Sequence, residues 1–124
     1  MDNCSYCAEF AGDIDNSYYL KNVMPIIGLN RVRLESLYFY IFPSVGSLIP
    51  GHLLIVPKRH YTALSMATKD EIVELEGVIS ELQSIYKSVL RSSSIFYFEH
   101  GILDVDKSLI NCVDHAHLHI LPAA

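Results

Sequence analysis

The sequence predicts an α+β domain in which a mainly antiparallel β-sheet is covered on one face by one long helix. Two observations predict this class: short segments rich in branched and aromatic residues flank a single long amphipathic segment, and histidines alternate strictly with apolar residues near the end. Strands that are segregated from helices along the chain are typical of this class. The chain has 124 residues and 51% hydrophobic content, which is enough to form one hydrophobic core. We therefore expect a single domain over residues 1–124.

The predicted strands are short segments that carry many aromatic and β-branched residues and that end near glycine or proline. Five segments meet this description, at residues 18–22, 35–42, 52–57, 95–98 and 114–122. A proline at position 57 fits the end of the third strand, because proline cannot donate a hydrogen bond to a neighbouring strand.

One long helix is predicted from Thr68 to about Leu90. Thr68 and Glu71 have the spacing of a capping box, in which the threonine hydroxyl and the glutamate each accept a hydrogen bond from a backbone N–H of the first turn. Apolar residues then recur at spacings of three and four and form one stripe. They are Ile72, Leu75, Ile79, Leu82, Tyr86 and Val89. We expect this stripe to pack on the sheet.

Composition limits the classes of partner and the cellular location. The formal net charge of −5 disfavours nucleic acid, whose phosphates require a basic surface. The sequence has no apolar run near the ~20 residues that span a bilayer and no secretion leader. The three cysteines are an odd number, which argues against a disulfide framework. We expect a soluble cytoplasmic protein without a membrane partner.

The alternating segment carries His115, His117 and His119. Because side chains of a strand point alternately to its two faces, all three imidazoles are predicted on one face. Three interpretations remain open: a polar face that carries histidines by chance, a metal site built from two or three imidazoles, or one catalytic histidine that its neighbours orient.

Cys4 and Cys7 form a C-x-x-C pair that suits a redox, structural or zinc-binding role. A redox pair is expected between a strand and a helix, and no strand is predicted before Cys4. A zinc ion would need two further ligands from elsewhere in the chain.

Three motifs in this sequence resemble those of the histidine triad (HIT) family of nucleotide hydrolases and transferases. The His-x-His-x-His segment resembles the family signature, and residues 51–60, read as GHLLIVPKRH, resemble its second motif. The C-x-x-C pair is similar to the zinc-binding pair of the bacterial branch. The resemblance implies a HIT-like fold, a homodimer and a structural Zn²⁺ bound by Cys4, Cys7, His60 and His115.

The resemblance also implies a reaction. His117 would attack the α-phosphorus of a purine nucleotide or nucleotide conjugate, form a nucleotidyl-histidine intermediate and release the leaving group. His119 would donate a hydrogen bond to a phosphate oxygen, and His52 would line the phosphate pocket. The expected enzyme is a hydrolase of nucleoside phosphoramidates or dinucleoside polyphosphates, and a nucleotidyltransferase to a phosphorylated acceptor is the alternative.

Further substrate contacts are predicted at Ser44, Lys58, Asn111 and Cys112, and three of these positions depart from the family pattern. Ser44 stands where members commonly have an Asp or Asn that holds the ribose hydroxyls, although one hydroxyl accepts fewer hydrogen bonds than a carboxylate. Asn111 and Cys112 replace a glutamine and a Ser or Thr near the leaving group. These departures keep open a non-catalytic nucleotide-binding module, and the histidines keep open a metal-dependent hydrolase.

Overall fold

The computed structural model describes residues 4–27, 34–44, 48–92, 94–100 and 115–123. Its helices are α1 (Ser5–Ala11), α2 (Met24–Ile27) and α3 (Lys69–Val89), and its strands are β1 (Leu34–Glu35), β2 (Phe39–Pro43), β3 (Leu53–Pro57), β4 (Ser94–His100) and β5 (His117–Ala123). A π-helical turn, Tyr19–Val23, runs into α2, and a 3₁₀ turn, Leu64–Met66, precedes α3.

The strands form one sheet in the order β1-β2-β3-β5-β4, and every pair of neighbouring strands is antiparallel. The last strand of the chain therefore lies inside the sheet, between β3 and β4. His119 is paired with Leu54 on one side and with Phe98 on the other. This topology with one long helix confirms the predicted fold class.

The two faces of the sheet carry different layers. Helix α3 covers one face, where Leu75, Leu82 and Tyr86 pack with Ile55 and Leu118 in the larger core cluster. The alternate strand residues point to the opposite face and pack against the first turn of α1 in a smaller cluster. Its buried members are Cys4, Tyr6, Phe42, Leu54 and Val56. The predicted helix-covered face is confirmed, and α1 adds a second, smaller cover.

Helix α3 begins and ends where the sequence predicts. Thr68 accepts from the Glu71 N–H, and the Glu71 carboxylate accepts from the Thr68 N–H, so the capping box is complete. Val89, predicted in the apolar stripe, is 71% exposed because it lies in the last turn. Among the described residues, no helix has both the length and the apolar character needed to cross a membrane.

The predicted strand at residues 18–22 is wrong, because this segment is helical. Ser17 explains the difference: its Oγ accepts from the Leu20 N–H at 3.1 Å, and its carbonyl accepts from the Lys21 N–H at 3.0 Å. Tyr19 and Leu20 are buried on the resulting turn. Local hydrogen bonds and burial thus override the strand preference of aromatic and branched residues.

The predicted strand at residues 35–42 is interrupted by a tight turn that separates β1 from β2. The Ser36 N–H donates to the Phe39 carbonyl at 2.9 Å. Glu74 of helix α3 accepts from both the Ser36 hydroxyl and the Tyr38 N–H, each at 2.7 Å. A helix side chain therefore stabilises a turn that strand propensity alone does not show.

An ion pair links helix α3 to the segment after β3. The Arg59 guanidinium donates to the Glu71 carboxylate at 2.8 Å, and the Glu71 side chain is only 3% exposed. Burial by itself raises the pKa of Glu71, but the hydrogen bonds from Arg59 and Thr68 outweigh it and leave that pKa below its usual value. The folded state therefore favours the ionised carboxylate.

We predict that Glu71→Gln lowers the free energy of unfolding at neutral pH by about 1–3 kcal/mol, because a buried charge-assisted hydrogen bond is lost. Since the pKa of Glu71 is lowered in the folded state, this contribution is present above the usual carboxyl pKa. It is lost as the pH falls through the folded value. Urea titrations of both proteins between pH 3 and 7 measure it. A difference that does not shrink in acid would contradict the linkage.

Candidate active site and metal cluster

The histidines gather on the sheet face that α1 partly covers. His52 immediately precedes β3, while His117 and His119 lie on β5, and the alternation of each strand directs the three side chains to the same side. His52 and His117 are 3% and 5% exposed, and His119 is half-buried. The predicted common face is observed for His117 and His119, while His115 lies before the strand.

His115 lies just before β5 and meets both cysteines of the C-x-x-C pair. Its Nδ1 is 3.4 Å from Cys4 Sγ, 3.5 Å from Cys7 Sγ and 3.2 Å from His60 Nδ1. His60 Nδ1 is also 3.3 Å from Cys7 Sγ. All four donor atoms lie within 4.8 Å of one another. The structure thus brings together the four residues predicted as metal ligands, and we call them the four-ligand cluster.

The chemistry and spacing of the four-ligand cluster suit a tetrahedral zinc ion. Zinc bonds of about 2.0–2.3 Å correspond to donor separations of about 3.3–3.8 Å, and the observed contacts are 3.2–3.5 Å. The opposite ring nitrogen of His115 donates to the Pro57 carbonyl at 2.7 Å, which places its proton on Nε2 and leaves Nδ1 as the ligand atom. Both observations fit a closed structural site.

The central histidine is held by the backbone. His117 Nδ1 lies 2.8 Å from the His115 carbonyl, and because a carbonyl only accepts, Nδ1 carries the proton. The lone pair of the neutral ring is then on Nε2. His117 does not belong to the four-ligand cluster, so its Nε2 is not one of the candidate ligand atoms.

His52 and His119 form a hydrogen-bonded pair with the opposite arrangement. The Leu48 N–H donates to His52 Nδ1 at 3.0 Å, which places the His52 proton on Nε2. That proton faces His119 Nδ1 at 2.8 Å, so the proton of neutral His119 is on Nε2. Burial lowers the pKa of His52 and keeps its ring neutral at pH 7. The Nε2 of His119 is therefore a hydrogen-bond donor, whereas the Nε2 of His117 carries a lone pair.

Two aromatic rings that the sequence analysis did not assign to the site complete it. Phe98 stacks on His119, with centroids 4.5 Å apart and planes 10° from parallel. Tyr6 lies edge-to-face with His115 at 5.8 Å and with His117 at 5.6 Å. Tyr6 lies between the two cysteines in the sequence, and this position is the one signal that associates it with the site.

An apolar cleft of about 460 Å³ adjoins His52. Its described lining comes from the end of β2 and the segment before β3, and it comprises Pro43, Leu48, Ile49, Pro50, Gly51, His52 and Leu53. Gly51 has φ +89°, a conformation that glycine adopts without strain. Ser44 follows Pro43 and donates its N–H to the His52 carbonyl at 3.4 Å, so this predicted contact residue lies beside the cleft.

The other predicted contact residues have different placements. Lys58 is ion-paired with Glu35 and lies 4.9 Å above the Tyr40 ring, on the side of the sheet edge formed by β1. Its role as a phosphate contact stays a prediction. Asn111 and Cys112 lie outside the described residues.

The fold and site together define a class of protein: a small antiparallel sheet whose inner strand β5 presents alternating histidines, one with the lone pair on its Nε2 and another with Nε2 as a donor. Residues 30–124 match the family described as the HIT domain. The chain therefore belongs to the HIT domain family.

Part of the chain is similar in sequence to a known tetraphosphatase. It is 30% identical over 82 residues to bis(5'-nucleosyl)-tetraphosphatase (asymmetrical) of Schizosaccharomyces pombe, a match that covers 65% of this chain and 42% of the relative. The chain thus spans less than half of that protein.

Two solved structures share the fold at 20% identity and cover 98% of this chain. A HIT family protein from Bacillus anthracis has a TM-score of 0.69 with 73% of its chain covered. A Zn-bound histidine triad family protein from Mycobacterium smegmatis has a TM-score of 0.68 with 75% covered.

Proposed function

We propose that this protein is a nucleotide hydrolase that works through a nucleotidyl-histidine intermediate on His117. The observation that carries the proposal is the 2.8 Å hydrogen bond from His117 Nδ1–H to the His115 carbonyl, which leaves Nε2 as the nucleophile. A neutral imidazole is a competent nucleophile near pH 7, and its phosphoramidate remains reactive enough to be cleaved. Membership of the HIT domain family and the polyphosphatase relative support this reaction class.

In the first step, His117 Nε2 forms a bond to the α-phosphorus while the bond from phosphorus to the leaving group breaks. The leaving group departs with the bonding electrons. His119 assists because its Nε2–H donates to a phosphate or leaving-group oxygen as negative charge develops. In the second step, water attacks the same phosphorus and the electrons of the P–N bond return to Nε2. One proton of the water passes to solvent, and the nucleoside monophosphate and free His117 are formed.

The cleft beside His52 is proposed to hold the nucleoside. Its volume of about 460 Å³ is in the range of small-molecule sites, and apolar side chains dominate its described lining. Ser44 at its margin is the proposed ribose contact. We assign Asn111 and Cys112 to the leaving-group side from the resemblance of their motif. Lys58 would contact phosphate only after exchanging its ion pair with Glu35 for one with the substrate.

The four-ligand cluster is proposed to bind one structural Zn²⁺. When bound, the ion would join the start of α1 to the segments before α3 and β5, since its ligands come from all three. Its four protein ligands leave no position for an activated water, so the catalytic-zinc alternative receives no support from the described residues. Two cysteine thiols held reduced for this role fit a cytoplasmic location.

A homodimer formed through β4 is proposed as the assembly. Within the described sheet β4 is a terminal strand, so its outer backbone groups make no ladder there. Phe96 and Tyr97 on this strand are 67% and 57% exposed. A long edge strand with exposed aromatic residues favours pairing with another strand, and antiparallel pairing with β4 of a second copy satisfies both backbones.

We predict that His117→Ala abolishes both adduct formation and turnover. Intact-protein mass spectrometry after brief incubation with a panel of dinucleoside polyphosphates and nucleoside phosphoramidates should show one added nucleotidyl group on the wild-type protein. The variant should lack this group, and its turnover should fall by roughly three orders of magnitude or more, because no other nucleophile replaces the ring. The control is Tyr18→Ala, which removes an aromatic ring that is 61% exposed and belongs to neither core cluster.

Turnover that persists in His117→Ala would reject the mechanism. Nucleotide binding without adduct or turnover across the panel would favour the non-catalytic module. Transfer of the nucleotidyl group to an added phosphorylated acceptor, faster than to water, would identify a transferase.

We predict about one zinc ion per chain in the purified protein, measured by inductively coupled plasma mass spectrometry. Cys7→Ser should lose most of the metal and unfold at a lower temperature, because zinc binding contributes directly to folding. Cys112→Ser is the control, since it removes a thiol outside the four-ligand cluster. A full complement of zinc in Cys7→Ser would contradict the proposed ligand set.

We predict that Phe96→Glu shifts the protein from dimer to monomer in sedimentation velocity experiments, because a charge on the β4 edge opposes strand pairing. Val73→Glu is the control: Val73 is a comparably exposed apolar residue, at 59%, on helix α3. A monomeric wild-type protein, or a dimer unaffected by Phe96→Glu, would reject this interface.

A further inference from the structure

We propose that Tyr6 is a positioning residue that couples the four-ligand cluster to the nucleophile His117. The inference rests on the proposed nucleotidyl-histidine chemistry and deepens it, because it states what sets the orientation of the reacting ring. Tyr6 itself need not contact the reacting phosphorus.

Tyr6 lies in the first turn of helix α1. This helix has only seven residues, and its cap is Cys4, whose Sγ accepts from the Cys7 N–H at 3.4 Å. Tyr6 is therefore in the same turn as both thiols. Anything that fixes Cys4 and Cys7 against His115 also fixes the backbone that carries the Tyr6 ring.

Tyr6 packs against two of the histidines, His115 and His117. The ring is 7% exposed, and its plane is 88° from that of His117 and 78° from that of His115. Edge-to-face pairs at such distances are directional. Tyr6 thus touches both a cluster histidine and the proposed nucleophile.

Such ring contacts help to orient the His117 imidazole. The hydrogen bond to the His115 carbonyl selects the tautomer of His117, and contacts with neighbouring rings limit the rotation of the imidazole about that bond. His119 contacts one part of the ring, with centroids 5.2 Å apart and planes at 63°, and Tyr6 contacts it at 88°. Together the three contacts define the direction of Nε2, and misdirected nucleophiles lose rate steeply.

The test compares Tyr6→Leu with two matched variants of the zinc-loaded protein. Tyr6→Phe keeps the ring. Phe10→Leu removes an aromatic residue of the same helix that stacks with Tyr6 and contacts His115 at 5.9 Å. It therefore measures the effect of loosening α1 alone.

We expect Tyr6→Leu to slow adduct formation about three- to tenfold, the range of a lost aromatic pair, with little change in KM. Tyr6→Phe should form the adduct at the wild-type rate, and Phe10→Leu should form it at a rate within about twofold of wild type. Zinc removal from the wild-type protein should slow the reaction by a similar factor. In Tyr6→Leu, zinc removal should slow the reaction little further, since both changes disrupt the same coupling between the four-ligand cluster and His117. Equal slowing in both leucine variants, or multiplicative effects of zinc removal and Tyr6→Leu, would overturn the proposal.

A second measurement does not depend on turnover. Two-bond ¹H–¹⁵N spectra of the His117 ring should show one sharp Nδ1–H tautomer in the zinc-loaded protein and in Tyr6→Phe, and an exchange-broadened ring in Tyr6→Leu and after zinc removal. An unchanged ring signal in Tyr6→Leu would refute the coupling. If no substrate forms an adduct, the proposed function fails, and these spectra still decide the role of Tyr6.

Discussion

His115 is the residue on which the site depends, because each of its polar groups holds a different part of the molecule. Its Nε2–H bonds to the Pro57 carbonyl at the end of β3, its Nδ1 faces the two thiols and His60, and its own carbonyl accepts from His117. It is fully buried, so none of these contacts is exchanged with bulk water. Through its side chain and its carbonyl, His115 therefore joins β3, the candidate metal ligands and His117, and a shift of this residue would disturb all three.

The backbone, rather than the side chains, sets the tautomers of the two histidines on β5. His117 and His119 are chemically identical residues two positions apart, but a carbonyl faces Nδ1 of His117, whereas a backbone N–H acts on His119 through His52. In one neutral ring the lone pair is on Nε2, and in the other Nε2 carries the proton. Main-chain groups therefore supply both anchors.

Periodicity predicts the parts of this structure that depend on local sequence. The capping box at Thr68, the stripe along α3 and the shared face of His117 and His119 follow from spacing alone, and the observed elements confirm them. The turn at residues 17–20 was missed because Ser17 bonds to the backbone in competition with a strand. Tyr6 and Phe98 were missed for another reason: their ring contacts join residues more than 100 and more than 20 positions apart, respectively, and no local pattern encodes such distances. The family resemblance supplied the metal ligand set, which spacing left open.

The short segment at residues 57–61 explains why the two faces of the sheet are not independent. Along it, the Pro57 carbonyl holds His115, Arg59 reaches the buried Glu71 of helix α3, and the Tyr61 carbonyl accepts from the Ala116 N–H at 2.7 Å. His60 lies between these contacts and enters the four-ligand cluster. Residues of this one segment therefore contact both the helix layer and the site layer. Because the Arg59–Glu71 pair and His60 share this segment, the stability of the core and the geometry of the site depend on the same stretch of backbone.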